Sequence, residues 1–162
     1  MAILVTGGAG YVGSHAVAWL LRAGHDVVVY DNLSLGHRSA VPAGSLVQGE
    51  LRDRERLVDV LREKRIQAVM HFAAFSLVGQ SVREPSVYWW NNLVGTLSLL
   101  EAMRATGVTR IVFSSTCATY GEPSKVPISE DTPQQPVSPY GASKLAVERA
   151  LAARAEASAS AR

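Results

Sequence analysis

Tyr140 and Lys144 stand four residues apart, so on a helix they share one face. A phenol ordinarily ionises near pH ~10, too high for a base at neutral pH, and lowering that by ~3 units requires roughly 4 kcal/mol of differential stabilisation. A lysine ammonium one turn away works in that direction because it favours the phenolate. Tyrosine and lysine on a surface helix are common, so the pair gains meaning from its company. Thr116, in the run Phe113-Ser114-Ser115-Thr116, offers a hydroxyl that can share a proton with a tyrosine and a bound alcohol. The segment Thr6-Gly7-Gly8-Ala9-Gly10-Tyr11-Val12-Gly13 satisfies two spacings. Gly8, Gly10 and Gly13 fit the general dinucleotide fingerprint, and Gly7, Gly10 and Gly13 fit a wider spacing. Both serve a tight turn, close backbone approach to a pyrophosphate and close helix–strand packing. The helix that follows then turns its free N–H groups toward the anion. Glycines also make ordinary turns. What singles these out is Asp31, 18 residues beyond Gly13. A carboxylate there accepts from a ribose 2′-OH and repels a 2′-phosphate, which favours NAD over NADP.

These residues need elements to hold them. Residues 2–6 read as a buried strand and 11–23 as a helix with Val12, Ala16, Trp19, Leu20 and Ala23 inward. Gly24 stops that helix. Residues 26–30 and 45–48 are the next strands, 53–64 a helix with Leu57, Val58 and Leu61 inward, and 68–72 a fourth strand. Pro85 opens a long helix to about residue 106, striped by Trp90, Leu93, Leu97, Leu100 and Met103 and ended by Gly107. Residues 110–114 form a fifth strand, the proline-rich stretch 121–139 a long loop, and a last helix starts near Tyr140. Continuous apolar strands alternating with helices predict an α/β fold, a Rossmann-like doubly wound parallel sheet with helices on both faces. Ligands in such sheets bind at the carboxyl ends of the strands, where the glycine turn, Asp31 and Thr116 all fall. Residues 151–162 are rich in alanine and lack an apolar face, which predicts a frayed helical tail.

Composition bounds the function class. The chain has 162 residues, 48% of them hydrophobic and 19% charged, with 13 glycines. That is globular and excludes a disordered chain, a collagen-like fibre or a disulfide scaffold. Lys plus Arg is 16 against 14 for Asp plus Glu. The basic residues are scattered, so no nucleic-acid footprint is present. A single cysteine, Cys117, fits a reducing compartment. No basic leader precedes Ala2-Ile3-Leu4-Val5, and no apolar stretch approaches the ~18 residues of a membrane span. A cytoplasmic protein with no membrane partner is expected.

The stretches VTGGAGYVGSH (5–15), DNLSLGHRSAV (31–41), QGELRD (48–53), HFAAFSLVGQSV (71–82), NNLVGTL (91–97), FSSTCATYGEP (113–123) and SPYGASKLAVE (138–148) resemble the NAD-dependent epimerase/dehydratase family of extended short-chain dehydrogenases/reductases. Within it the likeness is to the nucleotide-sugar 4-epimerases. The resemblance implies that Gly7, Gly10, Tyr11, Val12 and Gly13 cradle the NAD pyrophosphate. Asp31 and Asn32 take the adenosine ribose. Phe72, Ala73, Ala74 and Ser114 line the cleft, and Asn91 lies near the phosphates. Tyr140, Lys144 and Thr116 are implied to be catalytic, with Tyr140 and Lys144 also touching the cofactor, and no metal is implied. The implied reaction is 4-epimerisation of a UDP-hexose, as between UDP-glucose and UDP-galactose, through a 4-keto sugar. Dehydratases of the family carry Asp-Glu directly after the catalytic Ser/Thr, and the UDP-glucuronate decarboxylases a Glu two residues after it; Cys117 and Ala118 stand at those positions here. Glu50, with Leu51 beside adenine, departs from the family's aspartate, and Ser76 replaces a phosphate-touching lysine of some members. His71 reads as structural, Arg38 as a solvated loop residue, and Trp89 and Trp90 as packing residues. A homodimer through 85–106 and 140–157 is implied.

The resemblance stops near residue 150, whereas family members are about twice as long. The subdomain that grips the nucleotide sugar is not in this sequence. The chain therefore reads as an incomplete Rossmann-like domain over 1–150, with its fifth strand left as an edge. Weak NAD binding and little turnover are expected of it alone. Two alternatives stay open: an inactive NAD-binding fragment, and another epimerase or dehydratase of the extended family.

Overall fold

The computed structural model of the chain describes residues 1–160. They divide into two compact units, Met1–Ala74 with Ser98–Ser114, and Phe75–Leu97 with the chain from Ser115 onward.

The first unit is built on a parallel sheet. Its strands are β1 (Ala2–Thr6), β2 (Asp26–Asp31), β3 (Leu46–Gln48), β4 (Ala68–His71) and β5 (Arg110–Phe113). They lie in the order β3-β2-β1-β4-β5, every pair parallel. The strands are short β-branched runs because both faces are buried. On one face Ile3, Val5, Val27 and Val29 pack with Val17 and Leu20 of α1 (Tyr11–Arg22), flanked by Val41, Leu46, Met70 and Phe72. Side chains alternate along a strand, so Leu4 and Val69 face the other way, and they are equally buried. The central β1 has β2 on one side and β4 on the other, which puts the topological switch point, where such sheets bind ligands, at its carboxyl end. There Thr6 is level with Tyr30 and His71.

His71 is a core residue. Its Nδ1 lies 2.5 Å from the Thr6 hydroxyl, and its ring stacks on Phe113 at 5.6 Å. At the outer strand β5, Val112 is 59% exposed.

Two helix faces differ from the sequence expectation. In α1 the inward residues are Gly13, Val17 and Leu20, while Trp19 is 70% exposed and Val12 and Ala23 are exposed. The glycine that packs on the turn sets this phase, and the large apolar Trp19 misleads a reading by residue size. In α2 (Arg54–Glu63) the buried set is Leu57, Val60 and Leu61, with Val58 only half-buried. The Asp53 side chain caps α2 by accepting from the Arg56 N–H at 3.0 Å.

In the second unit, α3 (Val78–Arg83) is an element that the sequence reading does not anticipate. The long helix from Pro85 exists but is not regular, and from Ser98 onward it belongs to the first unit. It runs as α4 (Pro85–Tyr88), a π-helical turn (Trp89–Val94) and α5 (Gly95–Thr106). A π turn inserts a residue and breaks the 3.6-residue phase. The expected stripe therefore holds only in part: Trp90 and Leu97 are exposed and Leu93 is half-buried, whereas Leu100 and Met103 are buried, together with Tyr88, Asn92, Gly95, Thr96, Leu99 and Ala102. A 3₁₀ turn (Cys117–Tyr120) leads into the loop, which ends at α6 (Pro139–Ser160). Helix α6 packs against α3, α4, the π-helical turn and the 3₁₀ turn. Of the expected tail, 151–160 continue α6, and 161–162 lie outside the described residues. Among the described residues no helix is long and apolar enough to cross a membrane.

Candidate functional site

In the first unit the glycine turn joins β1 to α1. Gly7 sits at φ +71°, and a Cβ there would lie 2.5 Å from the Ala73 amide nitrogen. A Cβ on Gly13 would strike the Gly7 carbonyl oxygen. Both positions are thus demanded by the chain's own packing. Gly10 differs: a Cβ there meets only the Gly7 oxygen, at 3.3 Å. Gly10 is the N-cap of α1, and no side chain caps that end. The α1 ladder begins with Ser14 N–H on Gly10 C=O at 2.9 Å, so the N–H groups of Tyr11, Val12 and Gly13 form the open helix end. An open side at Gly10 and an uncapped N-terminus fit a pyrophosphate-sized anion.

Asp31, at the end of β2, is nearly buried, and both its oxygens are engaged. Oδ2 accepts from Ala9 N–H at 3.0 Å and Oδ1 from Leu33 N–H at 2.8 Å. It therefore ties the glycine turn to the loop after β2. Each carboxylate oxygen keeps a second lone pair for a ribose hydroxyl. Asn32 Nδ2 donates to Glu50 Oε1 at 3.0 Å, and Tyr30 OH donates to the Glu50 carbonyl at 3.0 Å. The longer Glu50 side chain is thus held by Asn32, and Leu51 follows it half-buried. Burial pushes the Tyr30 phenol up to about 12, with Asp53 adding to it. Phe72 continues the ladder with its N–H on Thr6 C=O at 2.9 Å, and Ser114 N–H reaches His71 C=O at 3.1 Å. Phe72, Ala73 and Ala74 are half-buried beside the turn.

The second unit carries the groups suited to proton transfer. Thr116 is the N-cap of the 3₁₀ turn, its Oγ1 accepting from Ala118 N–H at 3.2 Å. Tyr140 and Lys144 lie on the first turns of α6. A Cβ on Gly141 would strike the Ala118 carbonyl oxygen, so glycine allows the helix to seat directly on the turn that Thr116 begins. The Tyr140 ring meets Tyr88 edge-on at 6.3 Å. Tyr88 is buried, donates to Leu77 C=O at 2.7 Å, and has its phenol pushed up by that burial. Asn91 Nδ2 donates to Asn92 Oδ1 at 3.0 Å.

Two residues not singled out in the sequence organise this unit. Asn92 accepts from Phe75 N–H at 2.8 Å, donates back to Phe75 C=O at 3.0 Å, and donates to Ser143 Oγ at 3.1 Å. Ser143 in turn donates to Tyr140 C=O at 2.7 Å. The Asn-Asn pair was the available signal for Asn92. Nothing local marks Ser143 or Gly141.

Lys144 is 3% exposed. Burial lowers its ammonium to about 8, and the Glu148 carboxylate opposes the fall. Its folded value lies below the unfolded 10.5, so the burial penalty is present in full below about pH 8 and is relieved as pH rises. Stability should therefore rise by about 2 kcal/mol between pH 8 and 10 relative to Lys144→Met. Denaturant melts of the two proteins across that range check it; parallel curves refute it.

A family model described as the NAD dependent epimerase/dehydratase family matches residues 3–161. The UDP-glucose 4-epimerase of Corynebacterium glutamicum is 55% identical over 158 residues, which cover 97% of this chain and 47% of that protein. That of Streptomyces lividans is 56% identical over 156 residues, covering 95% and 47%. The solved structure of UDP-glucose 4-epimerase from Brucella ovis in complex with NAD superposes with a TM-score of 0.94 at 49% identity, covering 96% of this chain and 48% of that one. The chain spans about half the length of the curated relatives it matches.

Proposed function

The chain belongs to the NAD dependent epimerase/dehydratase family, and on that footing we propose that it carries the NAD site and the proton-transfer residues of a UDP-hexose 4-epimerase acting on UDP-glucose and UDP-galactose in galactose metabolism. The observation that carries the reading is the start of α6, where Gly141 seats Tyr140 and the buried Lys144 on the turn capped by Thr116. The relatives' names and the NAD complex of the Brucella ovis enzyme support it.

Gly7, Gly10 and Gly13, with the open N–H groups of Tyr11 and Val12, hold the pyrophosphate of NAD. Asp31 and Asn32 hold its adenosine ribose, Glu50 and Leu51 its adenine end, and Phe72, Ala73, Ala74 and Ser114 line the cleft. When bound, NAD would supply a reversible hydride acceptor for C4. Tyr140 takes the proton of the sugar 4-hydroxyl and returns it after the 4-keto sugar has presented its other face, so no net oxidation results. Thr116 shares that proton through its hydroxyl. Lys144, still largely protonated at neutral pH, favours the phenolate. Dehydration is disfavoured, because Cys117 and Ala118 supply no acid group. The test is NMR observation of UDP-galactose with the intact protein that carries this chain. UDP-glucose should appear; NAD binding with no sugar conversion would leave an NAD-binding unit without activity.

We place this activity in the cytoplasm and propose a homodimer through 85–106 and 140–157. Trp90 is 58% and Leu97 42% exposed, apolar surface that a second copy would bury. Trp90→Glu should weaken self-association about 30-fold, the effect of losing one interface anchor. Sedimentation equilibrium reads this directly, and an unchanged dimer constant removes Trp90 from the interface.

A further inference from the structure

Glu148 has no part in the chemistry above, yet it stands on α6 one turn beyond Lys144. Its Oε1 accepts from the hydroxyl of Ser115, the residue before Thr116. Its Oε2 accepts from Gln134 Nε2 at 2.7 Å. That same amide group donates to Thr119 Oγ1 at 3.2 Å, and Thr119 donates to the Thr116 carbonyl at 2.9 Å. Thr116 is thereby bracketed, through its preceding residue on one side and its own carbonyl on the other. Both arms end on one carboxylate.

The surroundings make those bonds matter. Ser115, Thr116, Thr119, Gln134 and Glu148 border a hollow of about 370 Å³. Close packing ordinarily locks a side chain by filling the space around it. Around Thr116 part of that space is hollow, so hydrogen bonds must set its position. Bonds to a carboxylate are shorter and about twice as strong as neutral ones. The Glu148 charge also faces Lys144 and counters the burial that lowers it.

We propose that Glu148 is a positioning residue, a carboxylate clamp that fixes Thr116 onto the helix carrying Tyr140 and Lys144. This rests on the roles given above to those three residues. It assigns to Glu148 no contact with substrate or cofactor.

Glu148→Leu removes both arms at similar volume, whereas Glu148→Gln keeps one acceptor. The first readout is the Thr116 methyl resonance in ¹³C-methyl NMR of the chain without ligand. In Glu148→Leu it should shift and broaden, in Glu148→Gln it should move less, and the Thr6 methyl inside β1 should stay in place. In the intact protein kcat should fall about 100-fold in Glu148→Leu, the scale of an ångström-sized misplacement, with KM within about twofold. A folded Glu148→Leu protein with an unmoved Thr116 methyl overturns the clamp. If that variant does not fold, Ser115→Ala and Gln134→Ala cut the arms one at a time. Each should move the Thr116 resonance, and no movement in either overturns the proposal equally. A Thr116 methyl that moves in a protein showing no sugar conversion in any form sustains the clamp and counts against the functional reading instead.

Discussion

Tyr140→Phe should lower turnover of the intact protein by about three orders of magnitude while NAD stays bound. The loss is that of a positioned acid–base group, which contributes about 10²–10⁴-fold. Phenylalanine keeps the ring, and with it the edge-on contact to Tyr88 at 6.3 Å. The Ser143 hydroxyl bonds the main-chain carbonyl of residue 140, which the substitution leaves alone. Helix α6 should thus keep its seat, and the change reports the phenol alone. The check pairs kcat for UDP-galactose conversion with the NAD content of the purified protein. Activity within tenfold of wild type would take the proton transfer away from Tyr140.

Gly7→Ala should cost about 4 kcal/mol of stability, with NAD binding lost alongside it. Two penalties add. A non-glycine residue in the left-handed region costs about 1–3 kcal/mol, and Gly7 sits at φ +71°. The new Cβ would also lie 2.5 Å from Ala73 N and 2.7 Å from Ala73 Cα, and backbone cannot swing aside as a side chain can. Overpacking of that kind typically costs about 1–3 kcal/mol more. Gly10→Ala is the informative contrast, because the Cβ there meets only the Gly7 oxygen at 3.3 Å. It should fold with a loss of about 1 kcal/mol or less, the scale of a cap substitution, yet still bind NAD weakly. Denaturant midpoints and NAD titrations of the two variants separate the effects. A Gly10→Ala protein binding NAD as wild type does would show that the open side of the turn faces no ligand.

The five strands and the glycine turn were legible because buried parallel strands are written as uninterrupted apolar runs, and because the backbone crowding Gly7 and Gly13 admits only glycine there; the order of the strands in the sheet was not read from the sequence. Asp31 was legible as the residue closing β2, although its bonds to Ala9 and Leu33 were not. Helix faces were less legible. Trp19 is large and apolar but outward, and Val17 is smaller and buried, because the contact of Gly13 with the turn sets the rotation of α1. The π-helical turn at Trp89–Val94 shifts phase in mid-helix, and no 3.6-residue pattern anticipates it. The supports of Tyr140 were least legible. Asn92 meets Ser143 across 51 residues, and Gly141 matters only against the Ala118 backbone. Such pairings exist only after folding.

The sharpest single measurement feeds UDP-galactose deuterated at C4 to the intact protein and follows the sugar by NMR. Hydride removal and return at C4 requires UDP-glucose that still carries deuterium at C4, with no net NADH. No conversion, or conversion with the label washed out to solvent, would mean that these residues do not perform a transient oxidation at C4.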